Sequence, residues 1–152
     1  MNKLSEELER LRIRTEADYK IVDKSWGFER WIENNSLYCG KELVCLHGKW
    51  SSEGKFHYHK KKDEVFYVLS GILELEVIPA SISFGIITES SDRSLKKRSL
   101  KTKLNVWEFL LKEGDSLRIF PNWSHRFRAM SKPLCRIIEF STRHSDKDSY
   151  YV

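Results

Sequence analysis

From about residue 29 onward the sequence does not hold a helical period. Nine short runs follow one another instead: "ERWIENN", "YCGKELVCLHGKW", "KFHYHK", "EVFYVLSGILELEVI", "ISFGIIT", "LNVWEFLLKEGD", "SLRIFP", "HRFRAM" and "LCRIIEFST". Each is rich in β-branched and aromatic residues and is bounded by turn residues, the composition of a pleated, half-buried strand. Many short strands with no helices between them bury their apolar faces as a sandwich or a barrel. A chain of 152 residues, 40% hydrophobic, has enough apolar surface for one such domain and core.

The first fifteen or so residues differ. Leu4, Leu8 and Leu11 recur at helical spacing. Ser5 is the candidate cap, although Leu8 stands where a capping box needs Glu or Gln. The expected organisation is therefore an N-terminal helical segment over 1–20, packed outside a β-barrel domain over 21–152. The segment lacks the apolar centre of a secretion signal, and no run approaches the length that spans a bilayer. A cytoplasmic setting without membrane contact is expected. Cys39, Cys45 and Cys135 show no paired spacing and read as buried thiols. The net charge of +5 is mildly basic, but no basic helix or aromatic-studded basic sheet motif points to nucleic acid. Residues 88–103 are polar and basic and read as a surface loop, with Lys96, Lys97 and Arg98 available to grip a phosphate.

One run carries chemistry. His57 and His59 stand two apart, so in a strand they share a face, and Glu64 follows after a charged Lys-Lys-Lys-Asp turn. A further donor comes from "EGDSLRIFPNWSHRF", where a Gly-Asp turn, a strand and a Pro-Asn turn precede His125. Imidazoles with one carboxylate suit a single divalent ion: zinc, manganese, iron or nickel. His47 and His144 lack partners at ligand spacing.

These residues resemble the cupin superfamily. That pattern has His-x-His, four residues, a Glu, six residues and a Gly, then later a Gly-Asp turn with a His eleven residues after its Gly; His57, His59, Glu64, Gly71, Gly114 and His125 match it. Ser51 stands at the usual leading Gly, and Phe120-Pro121-Asn122 replaces Pro-x-Gly, with Asn122 able to adopt the left-handed conformation of that Gly. Ala129 replaces the usual final Asn. The resemblance implies an all-β fold, a single cupin (jelly-roll) β-barrel with a short N-terminal helix, and pairing into a homodimer. A narrower likeness is to small cupin sugar isomerases. Trp26-Gly27-Phe28-Glu29 is similar to the opening of the mannose-6-phosphate isomerase-like group, and Lys55, His57, His59, Lys62 and Glu64 fit the Lys-x-His-x-His-x-x-Lys-x-Glu site of D-lyxose isomerase-like cupins.

That likeness implies a metal-dependent aldose–ketose isomerase acting on a sugar or sugar phosphate. The same barrel also hosts non-catalytic metal- or small-ligand-binding proteins and iron-dependent dioxygenases or lyases, so these readings stay open. An isomerase needs a base to shuttle a proton. Glu139 is the candidate, because it shares a strand face with Cys135 and Ile137, unless it faces solvent or pairs with an arginine. Lys55, on the histidine face, is the candidate for a substrate hydroxyl or phosphate. Arg118, Arg126 and Arg128 are further phosphate candidates, although the alternation of the last two with Phe127 turns them from His125's side. Trp123 is a candidate wall of the pocket mouth, or it packs.

Overall fold

The computed structural model describes residues 3–83 and 106–152, and the following statements concern these residues. Eleven strands form two antiparallel sheets. In chain order they are β1 (Lys20–Lys24), β2 (Gly27–Asn34), β3 (Cys39–Leu46), β4 (His57–Tyr58), β5 (Glu64–Ser70), β6 (Ile72–Ile78), β7 (Trp107–Lys112), β8 (Ser116–Ile119), β9 (Ser124–Ala129), β10 (Leu134–Ser141) and β11 (Tyr150–Tyr151). One sheet has the order β1-β2-β3-β10-β5-β8 and the other β11-β4-β9-β6-β7.

Alternation decides which face each strand buries. In β10, Cys135, Ile137 and Glu139 are buried, while Arg136 and Phe140 point out. The inward sets of both sheets meet in one core that includes Leu43, Phe66, Val68, Leu73, Leu75, Phe127 and Ile137. Phe127 lies edge-on to Trp26 at 5.2 Å and to Phe66 at 5.4 Å between ring centroids. Such pairs contribute about 0.5–1.5 kcal/mol beyond the area they bury.

The apolar run from Glu64 to Ile78 is divided by Gly71, where the chain leaves one sheet for the other. Gly71 has φ +90, and a Cβ there would stand 2.4 Å from Ser131 Oγ, so only glycine makes this crossing without a shift. Asn122 takes φ +67 in the turn before β9, the left-handed conformation expected of it. All three cysteines are free and buried, as expected.

Several expectations are corrected. The N-terminal helix, α1, covers only Lys3–Glu9, begins before Ser5, and buries nothing; Leu4, Leu8 and Leu11 are exposed rather than packed on the barrel. Seven residues are too few for a stable isolated helix, and no barrel face covers its stripe. The run "KFHYHK" yields only the two-residue β4, so His59 lies just beyond the strand. Residues 80–83 form a helical turn, α2, rather than the start of a strand. The rest of "ISFGIIT" and the basic loop over 88–103, with Lys96, Lys97 and Arg98, lie outside the described residues. The edge strands β1 and β11 were not anticipated. No helix among the described residues is long and apolar enough to cross a membrane.

Candidate metal centre

β4 and β9 pair at His57 and His125, which brings the two motifs together in register. The ring centroids of these histidines are 4.2 Å apart, and that of His59 is 5.2 Å from His57. The backbone N–H of Asn122 donates to the His59 carbonyl at 2.6 Å, tying the second motif's turn to the first motif. The donor atoms of His57, His59 and His125 all lie within 4.8 Å of one another. Glu64, at the start of β5, joins them: its Oε1 is 3.0 Å from His125 Nε2 and 3.8 Å from His59 Nε2.

Which nitrogen faces inward follows from the hydrogen bonds on the other side. His59 Nδ1–H donates to the Asp148 carbonyl at 2.6 Å, and His125 Nδ1–H to the Trp123 carbonyl at 3.2 Å. A carbonyl only accepts, so in the neutral rings that ligate a metal both Nε2 atoms are bare acceptors turned toward Glu64. His125 Nε2 and Glu64 Oε1 are buried, and neither has a hydrogen-bond partner among the described residues. Unprotonated acceptors facing one another at this depth repel unless a cation lies between them. Two donors each about 2.1 Å from one ion and at right angles to it stand about 3.0 Å apart. The residues therefore fit a divalent metal, with imidazoles oriented by outer hydrogen bonds in the manner of metal ligands.

The electrostatics agree. Burial, then the neighbouring imidazoles of His125 and His59, hold His57 well below its ordinary pKa. Burial also lowers His59, against the pull of Glu64. Both therefore stay neutral and competent to ligate at neutral pH. Burial pushes Glu64 up, but the Lys62 ammonium leads the opposing influences that hold the carboxyl well below its usual range.

Glu139 is buried and lines the same cavity, but it does not stand alone. Lys62 Nζ lies 2.5 Å from Glu139 Oε1 and 2.7 Å from Glu64 Oε2. Burial lowers the lysine, whereas Glu139 and Glu64 together raise it above its ordinary value, so the ammonium is kept between the two carboxylates. Lys62 is the residue whose part went unread. Its two-residue spacing from Glu64 was the available signal, but Glu139 reaches it only through the pairing of β10 with β5.

The cavity has a volume of about 640 Å³ and is lined by the three histidines, Glu64, Lys62 and Glu139. Lys55 reaches its rim as an exposed side chain. Trp123 is not among the lining residues; it packs on Phe120 and Trp107 beside the core. The arginine candidates are also accounted for elsewhere. Arg126 pairs with Glu76 and Arg128 with Glu74, each at 2.6 Å across the outer face of β9 and β6, and Arg118 pairs with Asp63. His144 is less isolated than its sequence position suggested. It lines the cavity 6.5 Å from the His59 ring centroid, packs edge-on to Trp31, and bonds Asp146.

No protein-family model matches the chain, and no curated protein sequence matches it. Solved structures share its fold. CapF, a capsular polysaccharide assembling protein from Staphylococcus aureus, has a TM-score of 0.64 at 12% identity, over 88% of this chain and 32% of its own. KdgF from Halomonas sp. has a TM-score of 0.60 at 14% identity, over 88% and 94%. Oxalate decarboxylase from Bacillus subtilis gives 0.63 at 12%, over 91% and 31%. A protein with a double-stranded β-helix domain from Klebsiella pneumoniae gives 0.60 at 11%, over 93% and 96%. The chain thus spans about a third of the CapF and decarboxylase chains and nearly all of the other two. Together with the two-sheet topology, these likenesses identify the fold as the all-β cupin barrel, the double-stranded β-helix. Within that class, this chain carries a cluster of three histidines able to hold a metal ion.

Proposed function

We propose that the protein is a metal-dependent cupin enzyme that isomerises an aldose and a ketose, as free sugars or sugar phosphates. The observation that carries this reading is the placement of two unlike charged groups in one cavity. Four convergent donors, His57, His59, Glu64 and His125, stand beside a buried carboxylate, Glu139, held by a lysine. A cavity of about 640 Å³ suits a small substrate. The likeness of fold to CapF, a capsular polysaccharide assembling protein, lends a carbohydrate context.

The four donors would hold one zinc, manganese, iron or nickel ion, which supplies Lewis-acid polarisation of adjacent carbonyl and hydroxyl oxygens when bound. The isomerisation moves a proton from the carbon beside the carbonyl to the carbonyl carbon, while the hydroxyl proton passes to the other oxygen. Glu139 takes and returns the carbon-bound proton. Lys62 fixes the Glu139 carboxylate and remains charged throughout. Lys55, without an ion pair among the described residues, meets a hydroxyl or phosphate of the substrate at the rim. The same proposal takes residues 21–152 as the barrel domain and 1–20 as a segment outside it. It also takes the protein as a cytoplasmic homodimer paired through the outer face of the six-stranded sheet, where Leu46, Leu69 and Phe140 are exposed. Sedimentation over a range of concentrations tests the dimer.

The test of the activity is incubation of the metal-loaded protein with aldoses, ketoses and their phosphates in D₂O, followed by NMR. Interconversion with deuterium entering at the carbon next to the carbonyl is expected. Glu139→Gln should slow both by about 10²–10⁴-fold with metal content unchanged. Tight ligand binding without turnover, or oxygen uptake by an iron-loaded protein, overturns the isomerase reading.

A further inference from the structure

The C-terminal residues "DKDSYYV" carry no ligand motif, yet they close on the metal centre from outside the barrel. β11 pairs with β4, placing Tyr151 opposite His57, and the Val152 N–H donates to the Phe56 carbonyl at 3.0 Å. Tyr150 stacks on Tyr58 with centroids 5.3 Å apart. Asp148 makes the most consequential contacts. Its carboxylate accepts the backbone N–H groups of Lys60, Lys61 and Lys62 at 3.0, 3.1 and 3.1 Å, three of the four donors of the turn between His59 and Glu64; the fourth, Asp63 N–H, goes to Thr142 Oγ1. Its carbonyl takes the Nδ1–H of His59, and Ser149 Oγ stands 3.5 Å from the same nitrogen. Three of the four donors are therefore contacted by this one segment: His57 through the β11 pairing, His59 directly, and Glu64 through its turn. The remaining contacts come from elsewhere: Trp123 holds His125, Ser52 Oγ stands 3.3 Å from His57 Nδ1, and Lys62 Nζ meets Glu64 at 2.7 Å.

We propose that Asp148 is a positioning residue of the metal centre, and that the docked C-terminal segment is what sets the His59 ring and the Glu64 turn at ligating geometry. A carboxylate that satisfies three successive N–H groups fixes the turn as a rigid body. A carbonyl on Nδ1 fixes both the tautomer and the ring plane of His59. Without the segment, three lysine amides turn to water and His59 is free to rotate, so the ion must order both as it binds. The ligand is a divalent cation. This inference rests on the metal-centre reading of His57, His59, Glu64 and His125.

The experiment uses the full chain with Zn²⁺, measured by chelator competition, and Co²⁺, measured by visible absorption. Asp148→Ala should weaken Zn²⁺ about 10–100-fold and alter the Co²⁺ spectrum, as loss of an outer-shell partner does. Asp148→Asn, which keeps an acceptor oxygen, should fall between Asp148→Ala and the unaltered protein, and it carries the test if the alanine variant does not fold. Asp146→Ala, whose carboxylate meets His144 instead, serves as the control and should bind Zn²⁺ as the unaltered protein does. If the unaltered protein binds Zn²⁺ and both Asp148 variants bind it equally well with the same Co²⁺ spectrum, Asp148 only anchors the tail and the inference is overturned. If the unaltered protein binds neither ion, the metal-centre reading itself is wrong and takes the inference with it.

Discussion

In β10, Cys135 and Ile137 are fully buried against apolar neighbours, whereas Glu139, two residues further along the same face, lies against the Lys62 ammonium. β9 shows the reverse order, from His125 through Phe127 to Ala129, and β5 runs from Glu64 through Phe66 to Val68. Three strands thus carry an apolar end and an ionisable end on one inward face. The apolar end contributes burial, which stabilises in proportion to area and asks little of geometry. The ionisable end has removed charges from water, which is tolerable where each meets an opposite charge, as Lys62 meets Glu64 and Glu139. The barrel owes its stability to one end, while the other end gathers the histidines that could hold a metal ion.

The contrast breaks first at the donors. His59→Ala with His125→Ala should abolish Zn²⁺ binding and leave the far-ultraviolet spectrum of the barrel unchanged, since the core residues lie at the other end. A high-occupancy ion retained in the double variant, measured by elemental analysis, removes the site assignment. Next comes Lys62→Met, which leaves Glu64 and Glu139 buried without their shared cation. It should cost the metal-free protein about 3–5 kcal/mol in urea unfolding. Leu75→Ala, at the apolar end, should cost about 2–5 kcal/mol for the cavity it leaves. The two differ in kind: bound Zn²⁺ should recover part of the Lys62→Met loss, because it compensates Glu64, and should recover none specific to Leu75→Ala. Equal recovery in both erases the distinction.

A smaller effect separates the two ends by pH. Burial holds His57 and His59 below their ordinary values. As pH falls through about 6.5, the unfolded chain takes up protons that the folded metal-free barrel refuses, so stability declines. The depressed Glu64 adds a further loss below its ordinary carboxyl range. The melting temperature of metal-free protein should therefore drop between about pH 8 and about pH 5.5. His59→Gln should flatten that slope, while Leu75→Ala should lower the whole curve without changing it. The smallest effect lies on the outer surface. Arg128→Ala breaks a partly exposed pair with Glu74 and should cost less than about 1 kcal/mol, with metal binding intact. A larger loss would place part of the barrel's stability on its outer face.

Much of the fold was legible because it rests on local rules. Period-two alternation puts Glu139 on the face of Cys135 and Ile137, and Arg126 and Arg128 on the face opposite Phe127, whatever the rest of the chain does. Backbone sterics reserve the crossing at Gly71 for glycine and permit Asn122 in its turn. The four donors could be gathered because their spacing within each motif is short and each motif holds its own strand register. α1 was misread for a related reason. Its leucine stripe satisfies a local period, but whether a face exists to cover it is not a local property.

What the sequence alone determined is the alternation, the turn residues and the candidate donors within each motif, since each depends on neighbours a few positions away. The tertiary structure alone decided that Lys62 stands between Glu64 and Glu139, that His144 borders the cavity, and that Asp148 holds the His59 ring and the turn behind it. Lys62 and Glu139 stand 77 positions apart, and His59 and Asp148 stand 89 apart. A polar residue gives no periodic sign of such a partner. A charge chooses its neighbour by distance and desolvation in space, and only the packed sheets set those distances.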